Sequence, residues 1–221
     1  MIINDILFIH ITKCGGTSIE YALANTSNYP LLNKLILWMY DLGKLYTKWG
    51  GLIKSPWWFN KILFYFGGFC NYHMTYKEAI NKDLLAFTVI RHPQSRLVSI
   101  YTFTKPNISF SDFVNIVTNN AYYQIYPNID KYILDRIFLS QVDYTEGMDP
   151  SFIFKLETIN EKWSEVCNKI KIQYILLEKN NKSCDNWEKY YKNKNELVNK
   201  IYQDYQQDYE KFSYEKKYFN D

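Results

Sequence analysis

Unbroken apolar runs alternate along this chain with stretches of helical spacing. Ile6-Leu7-Phe8-Ile9-His10-Ile11 is short and rich in β-branched residues; Gly15-Gly16 follows, and then Thr17 to Ala24, whose pattern is helical. Ala86-Phe87-Thr88-Val89-Ile90 is a second such run, and Pro93 suits the first turn of a helix carrying Arg96, Leu97, Val98, Ile100 and Tyr101. Ser111-Asp112 can cap a helix through Val117. Phe152 to Leu156 reads as a third strand, Ile159 to Ile170 as a helix, and Ile172 to Leu177 as a candidate further strand. Asn195 can cap a last helix from Glu196, with Leu197, Ile201, Tyr205, Tyr209 and Phe212 along one face. Strands apolar on both sides, alternating with helices, predict an α/β protein of three layers, a central parallel sheet flanked by helices.

Between the first two strand–helix units, Leu31 to Tyr76 holds Trp38, Trp49, Trp57 and Trp58 among many Tyr and Phe. Leu35, Trp38/Met39, Leu42 and Leu45/Tyr46 have helical spacing, so the first reading is a helical insert packed on the core. A cap that binds an acceptor through its aromatic faces is a second reading. A peripheral membrane contact, favoured by interspersed lysines, is a third.

The length, 221 residues, predicts one domain over 1–221, and 47% hydrophobic with 19% aromatic residues excludes a disordered chain. The net charge of +3 does not suit a nucleic-acid partner bound by counterion release. The charge is uneven, however: residues 1–110 carry 11 Lys+Arg against 5 Asp+Glu, a local excess of +6. Lysines interrupt every long apolar stretch, and the N-terminus has no basic region before its apolar run. Neither a spanning helix nor a signal peptide is therefore expected, and a cytoplasmic protein is. Cys14, Cys70, Cys167 and Cys184 are scattered and only three His accompany them, which suggests neither a zinc site nor a disulfide framework. No metal is expected near the loops described next.

Lys13-Cys14-Gly15-Gly16-Thr17-Ser18 lies where the first strand turns into its helix, the place where open parallel sheets bind ligands. Glycines let backbone amides converge, the helix N-terminus adds partial positive charge, the hydroxyls donate and Lys13 brings a full charge, which together suit a phosphate. The lysine precedes the glycines, so the order is not that of a Walker A loop. A capped Gly-Gly turn is the plainer reading. Arg91-His92-Pro93-Gln94-Ser95-Arg96 repeats the arrangement at the second strand end, with Ser99 about two helical turns on. Arg91 suits a terminal phosphate; the plainer reading is that Arg91 or Arg96 neutralises a carboxylate or a helix C-terminus. Two such sites at two strand ends imply one ligand with two separated anionic groups.

Taken together, Phe8-Ile9-His10-Ile11-Thr12-Lys13-Cys14-Gly15-Gly16-Thr17-Ser18 resembles the 5′-phosphosulfate-binding segment of sulfotransferases that use 3′-phosphoadenosine 5′-phosphosulfate (PAPS). Val89 to Tyr101 resembles their 3′-phosphate segment. The resemblance is to the carbohydrate type, the heparan sulfate 2-O and chondroitin group. It extends to Phe154-Lys155-Leu156-Glu157-Thr158-Ile159 and to Asp208-Tyr209-Glu210-Lys211-Phe212-Ser213-Tyr214. Thr12 stands for a usual proline and Cys14 for a usual threonine, so one side-chain hydroxyl toward the phosphosulfate is expected to be missing.

The resemblance implies a P-loop NTPase-like fold and an enzyme that moves the sulfuryl group of PAPS, its co-substrate, to an acceptor hydroxyl, on a saccharide. It implies donor contacts from Lys13, Cys14, Gly15, Gly16, Thr17, Ser18, Arg91 and Ser99. Lys13 would stabilise the leaving phosphate. His73, in Asn71-Tyr72-His73-Met74-Thr75-Tyr76, resembles the segment that supplies the base, although Tyr72 stands where that segment has glycine. His10 and His92 are expected to make structural hydrogen bonds. The expectation of no anchor departs from the Golgi enzymes of the group and suggests a bacterial or viral source. A nucleotide-dependent kinase and a non-catalytic binding or membrane-surface module are the competing readings.

Overall fold

In the computed structural model, the residues described are 2–3, 5–26, 73–79, 83–127, 129, 131–177 and 186–220. The aromatic segment expected at 31–76 lies outside them except for 73–76. Four strands form one sheet in the order β1 (Ile2–Ile3), β2 (Ile6–Ile9), β3 (Leu85–Ile90), β4 (Ile153–Lys155). β1 runs antiparallel to β2, whereas β2, β3 and β4 are parallel, with Phe8 opposite Phe87 and Val89 opposite Phe154.

The continuous apolar runs are explained by burial on both faces. Ile6, Phe8, Phe87 and Val89 pack against α1 (Gly16–Thr26) and α6 (Ile159–Lys169), through Ile19, Leu23, Trp163 and Val166. The alternate residues Leu7, Ile9 and Ile90 pack with Tyr144, Met148 and Phe212 on the other side. A third cluster joins α2 (Pro93–Thr104), α3 (Phe110–Thr118) and α4 (Lys131–Phe138) to α7 (Asn195–Asp204), around Phe113, Val114, Tyr191 and Val198. Two further α-helices are short, α5 (Gln141–Tyr144) and α8 (Gln206–Lys211). The fold is thus α/β, three parallel strands flanked by helices.

Local expectations needed four corrections. Ser109, not Ser111, caps α3, its hydroxyl accepting from the Asp112 amide at 3.1 Å. Asn195 is the first residue of α7, and Lys194 occupies the cap position. Residues 172–177 form no strand: Ile172 N closes onto Cys167 O, and the Ile175 carbonyl accepts from the Trp163 indole at 2.7 Å, so their backbone groups end α6 rather than extend the sheet. The apolar face from Leu197 to Phe212 is buried as its spacing predicts, but the helix breaks at Tyr205. The break turns Asp208 into the core, where it is fully buried.

Candidate active site

The loop after β2 is shaped by backbone geometry before any side chain acts. Lys13 has φ 64°, a left-handed conformation unusual for a residue with a side chain, and Gly15 follows at φ 80°. The positive φ favours glycine at 15, and a Cβ there would lie 2.6 Å from Leu156 Cδ1, so the Leu156 side chain would have to shift. Gly16 begins α1; the amides of Ser18 and Ile19 close onto the Gly15 carbonyl, which leaves the amides of Gly16 and Thr17 as the first-turn donors without an acceptor inside the helix. Thr17 and Ser18 lie half-buried in that turn. Cys14 does not follow them. It is 1% exposed and its thiol donates to Gln141 Oε1 at 3.2 Å, so the side chain is turned away from any ligand and only its backbone can serve the loop. Burial pushes this thiol up to about 12.

The second loop meets the first. Arg91 Nη1 donates to the Lys13 carbonyl at 3.2 Å, and Arg91 Nε donates to Ser95 Oγ at 2.9 Å, so the guanidinium folds back along α2. Ser99 lies one further turn along that helix, 1% exposed, and its hydroxyl has no hydrogen-bond partner among the described residues, a rare state for a buried polar atom. Burial, and then the neighbouring Arg91 cation, bring Lys13 down from 10.5 to about 8. The plainer reading holds for Arg96. At 2% exposure it donates to Thr12 O, Leu139 O and Ile137 O, the last two at the C-terminal end of α4, and so serves as a structural clamp.

Three residues hold the two loops in register. Gln141 Oε1 accepts from the Arg91 amide at 2.7 Å as well as from Cys14, while its Nε2 donates to Arg91 O and to Asp208 Oδ2. Asp208 also accepts from the amides of Gln141 and Val142, at 3.1 and 2.9 Å, and thereby caps α5. Glu157, at the end of β4, accepts from the His92 amide and from the Tyr214 hydroxyl. Glu157 and Asp208 lie in segments the resemblance had picked out. Gln141 carries no sequence signal: it is one glutamine beside Ser140, and its role appears only when both loops are in place.

His92 Nε2 donates to the Glu215 carbonyl at 2.9 Å, tying the C-terminal segment over the second loop. His10 Nδ1 bonds Glu20 at 2.8 Å, both buried, and its ring lies against Gly16, where a Cβ would come within 2.3 Å of it. Both thus make the structural bonds expected of them. His73, at φ 62°, reaches the same place: its Nδ1 lies 3.1 Å from the His10 carbonyl and 3.1 Å from Thr12 Oγ1, and its ring meets that of His10 edge-on at 4.9 Å. A carbonyl only accepts, so Nδ1 carries the hydrogen and Nε2 keeps its lone pair. Burial, and then the adjacent His10, bring His73 down from 6.5 to about 3, so its ring is uncharged at neutral pH.

Lys13 and Arg91 thus follow the C-terminal ends of two adjacent parallel strands, Ser99 lies along the helix that Arg91 leads into, and His73 is hydrogen-bonded to the end of β2 through His10 and Thr12. In open α/β sheets ligands bind at such strand ends. A sequence model of the Sulfotransferase family matches residues 3–215. The chain belongs to the sulfotransferase family. No curated protein and no solved structure matches it. Among the described residues no group of His, Cys, Asp or Glu could hold a metal ion, and no helix is long and apolar enough to cross a membrane.

Proposed function

We propose that this sulfotransferase takes the sulfuryl group from PAPS and transfers it to a hydroxyl, on a saccharide, and that 1–221 is a single catalytic domain with an aromatic insert at 31–76. The observation that carries the reading is the apposition of the two loops, with the Arg91 guanidinium on the Lys13 carbonyl and an unpartnered buried hydroxyl, Ser99, one turn beyond Ser95. Such a hydroxyl fits the 3′-phosphate of the donor, and the amides of Gly16 and Thr17 with the hydroxyls of Thr17 and Ser18 fit the 5′-phosphosulfate. The resemblance of both loops, and of the His73 segment, to the carbohydrate type supports the saccharide.

In this reading the acceptor oxygen bonds to sulfur as the bond from sulfur to the bridging phosphate oxygen breaks, and the electron pair leaves on that phosphate. Lys13 meets the charge as it develops, which favours the transition state over the bound donor. His73 Nε2 takes the acceptor proton. Its Nδ1–H, held by His10 O and Thr12 Oγ1, fixes the ring while it does so.

The test is a thermal-shift comparison of adenosine 3′,5′-bisphosphate with ADP and ATP. At a hundred times its Kd a specific ligand adds about 2.7 kcal/mol, roughly 5–10 °C for a chain of this size. Stabilisation by the bisphosphate alone supports the reading; preference for ATP favours a kinase, and no response favours a binding module. His73→Ala should then abolish transfer and keep bisphosphate binding; a fully active variant removes His73 from the mechanism.

A further inference from the structure

Along α2, Ser95, Ser99 and Phe103 recur at intervals of four and share one face. Ser95 accepts from Arg91, Ser99 has the unpartnered hydroxyl, and Phe103 lies beneath Lys13, with Nζ 4.1 Å from the ring centroid. The stripe therefore runs from one cation of the site to the other. Phe103 is also 54% exposed, on a helix whose residues 93–100 are all buried. Its ring is not serving the core.

We propose that Phe103 is a positioning residue for Lys13, its ring face holding the protonated ammonium at the far end of the Ser95–Ser99 stripe. Lysine has a flexible stem and a mobile charge, and here the Arg91 guanidinium sits on its own backbone carbonyl. Without an anion present, the two cations repel. A carboxylate could hold the ammonium, but it would cancel the charge that an incoming anion needs and compete with that anion. An aromatic face attracts the cation through its quadrupole and adds no charge. No carboxylate ion-pairs with Lys13 among the described residues, as this division of labour requires. The left-handed backbone at Lys13 sets the direction in which the side chain leaves the loop. The catalytic consequence rests on the function proposed for Lys13; the contact itself does not.

The test reads Lys13 directly, in ligand-free protein. Phe103→Leu keeps an apolar side chain of similar reach and removes the ring face, and Phe103→Tyr keeps the face. Acetylation of Lys13 across pH, followed by peptide mass spectrometry, gives its titration midpoint in each variant. The groups facing Lys13, Arg91 and Cys14, are the same in all three proteins. Loss of the ring should lower the proton affinity of Lys13 about three- to tenfold, a midpoint about 0.5–1 pH unit lower, and tyrosine should restore it. A Phe103→Leu midpoint equal to wild type, or the same fall in Phe103→Tyr, overturns the proposal. Lys13→Ala decides the underlying function separately: full transfer activity in that variant removes Lys13 from catalysis and leaves the labelling result standing.

Discussion

A single methyl group at residue 16 tests whether the His10 ring supports the loop after β2. A Cβ there would lie 2.3 Å from His10 Cδ2 and 2.4 Å from Nε2, against contact distances of about 3.5–4 Å. The ring cannot swing aside freely: Nδ1 is tied to Glu20 at 2.8 Å, the Phe8 and His73 rings lie 5.9 and 4.9 Å away, and the residue is 8% exposed. Helix propensity acting alone would make Gly16→Ala stabilising by up to about 1 kcal/mol, so the sign of the effect is decisive. Overpacking costs about 1–3 kcal/mol, and displacing His10 from the buried Glu20 adds about 1–3 more for an unpartnered polar group. The expected loss is about 2–6 kcal/mol, read by calorimetry as a Tm roughly 5–20 °C lower. The same substitution made in a His10→Ala background should cost much less, because the obstructing ring is gone, giving a coupling of about 1–3 kcal/mol. A Gly16→Ala protein that melts with the wild type, or an equal cost in both backgrounds, refutes the reasoning.

Other outcomes follow from the same geometry. Lys13 must be protonated to act on the proposed reading, so kcat/KM should fall as pH rises through about 8. His73 stays uncharged down to about 3, so the wild-type profile should show no histidine limb near 6.5; such a limb would contradict the site geometry. Cys14, buried and with its thiol held up at about 12, should resist iodoacetamide in the native protein and react only after unfolding, as peptide mass spectrometry would record. Asp208→Ala should destabilise by about 2–4 kcal/mol in urea titrations, because it leaves the amides of Gln141 and Val142 and the Gln141 side chain without their acceptor. A loss under about 1 kcal/mol would mean that Asp208 does not brace the loops.

The strand–loop–helix skeleton was legible because its signals act over a few residues. Ile6 to Ile9 and Leu85 to Ile90 are apolar on both faces, Gly15 answers a positive φ, and Pro93 starts a helix. Residues 172–177 misled for the same local reason: an apolar run resembles a strand whether or not a ladder partner is there to receive it. The break at Tyr205 was equally invisible, since the spacing of apolar residues continues across it.

Chain order and residue type alone determined that two cation-bearing loops would lie at strand ends. Only the packed structure decided which side chains serve them. Cys14 turns inward to a glutamine 127 residues away, Asp208 caps a helix from 67 residues on, and Phe103 meets Lys13 across two different strand–helix units. No periodicity encodes such pairs. They form because the core brings distant backbones together, and because buried donors and acceptors must then be matched at whatever positions come within reach.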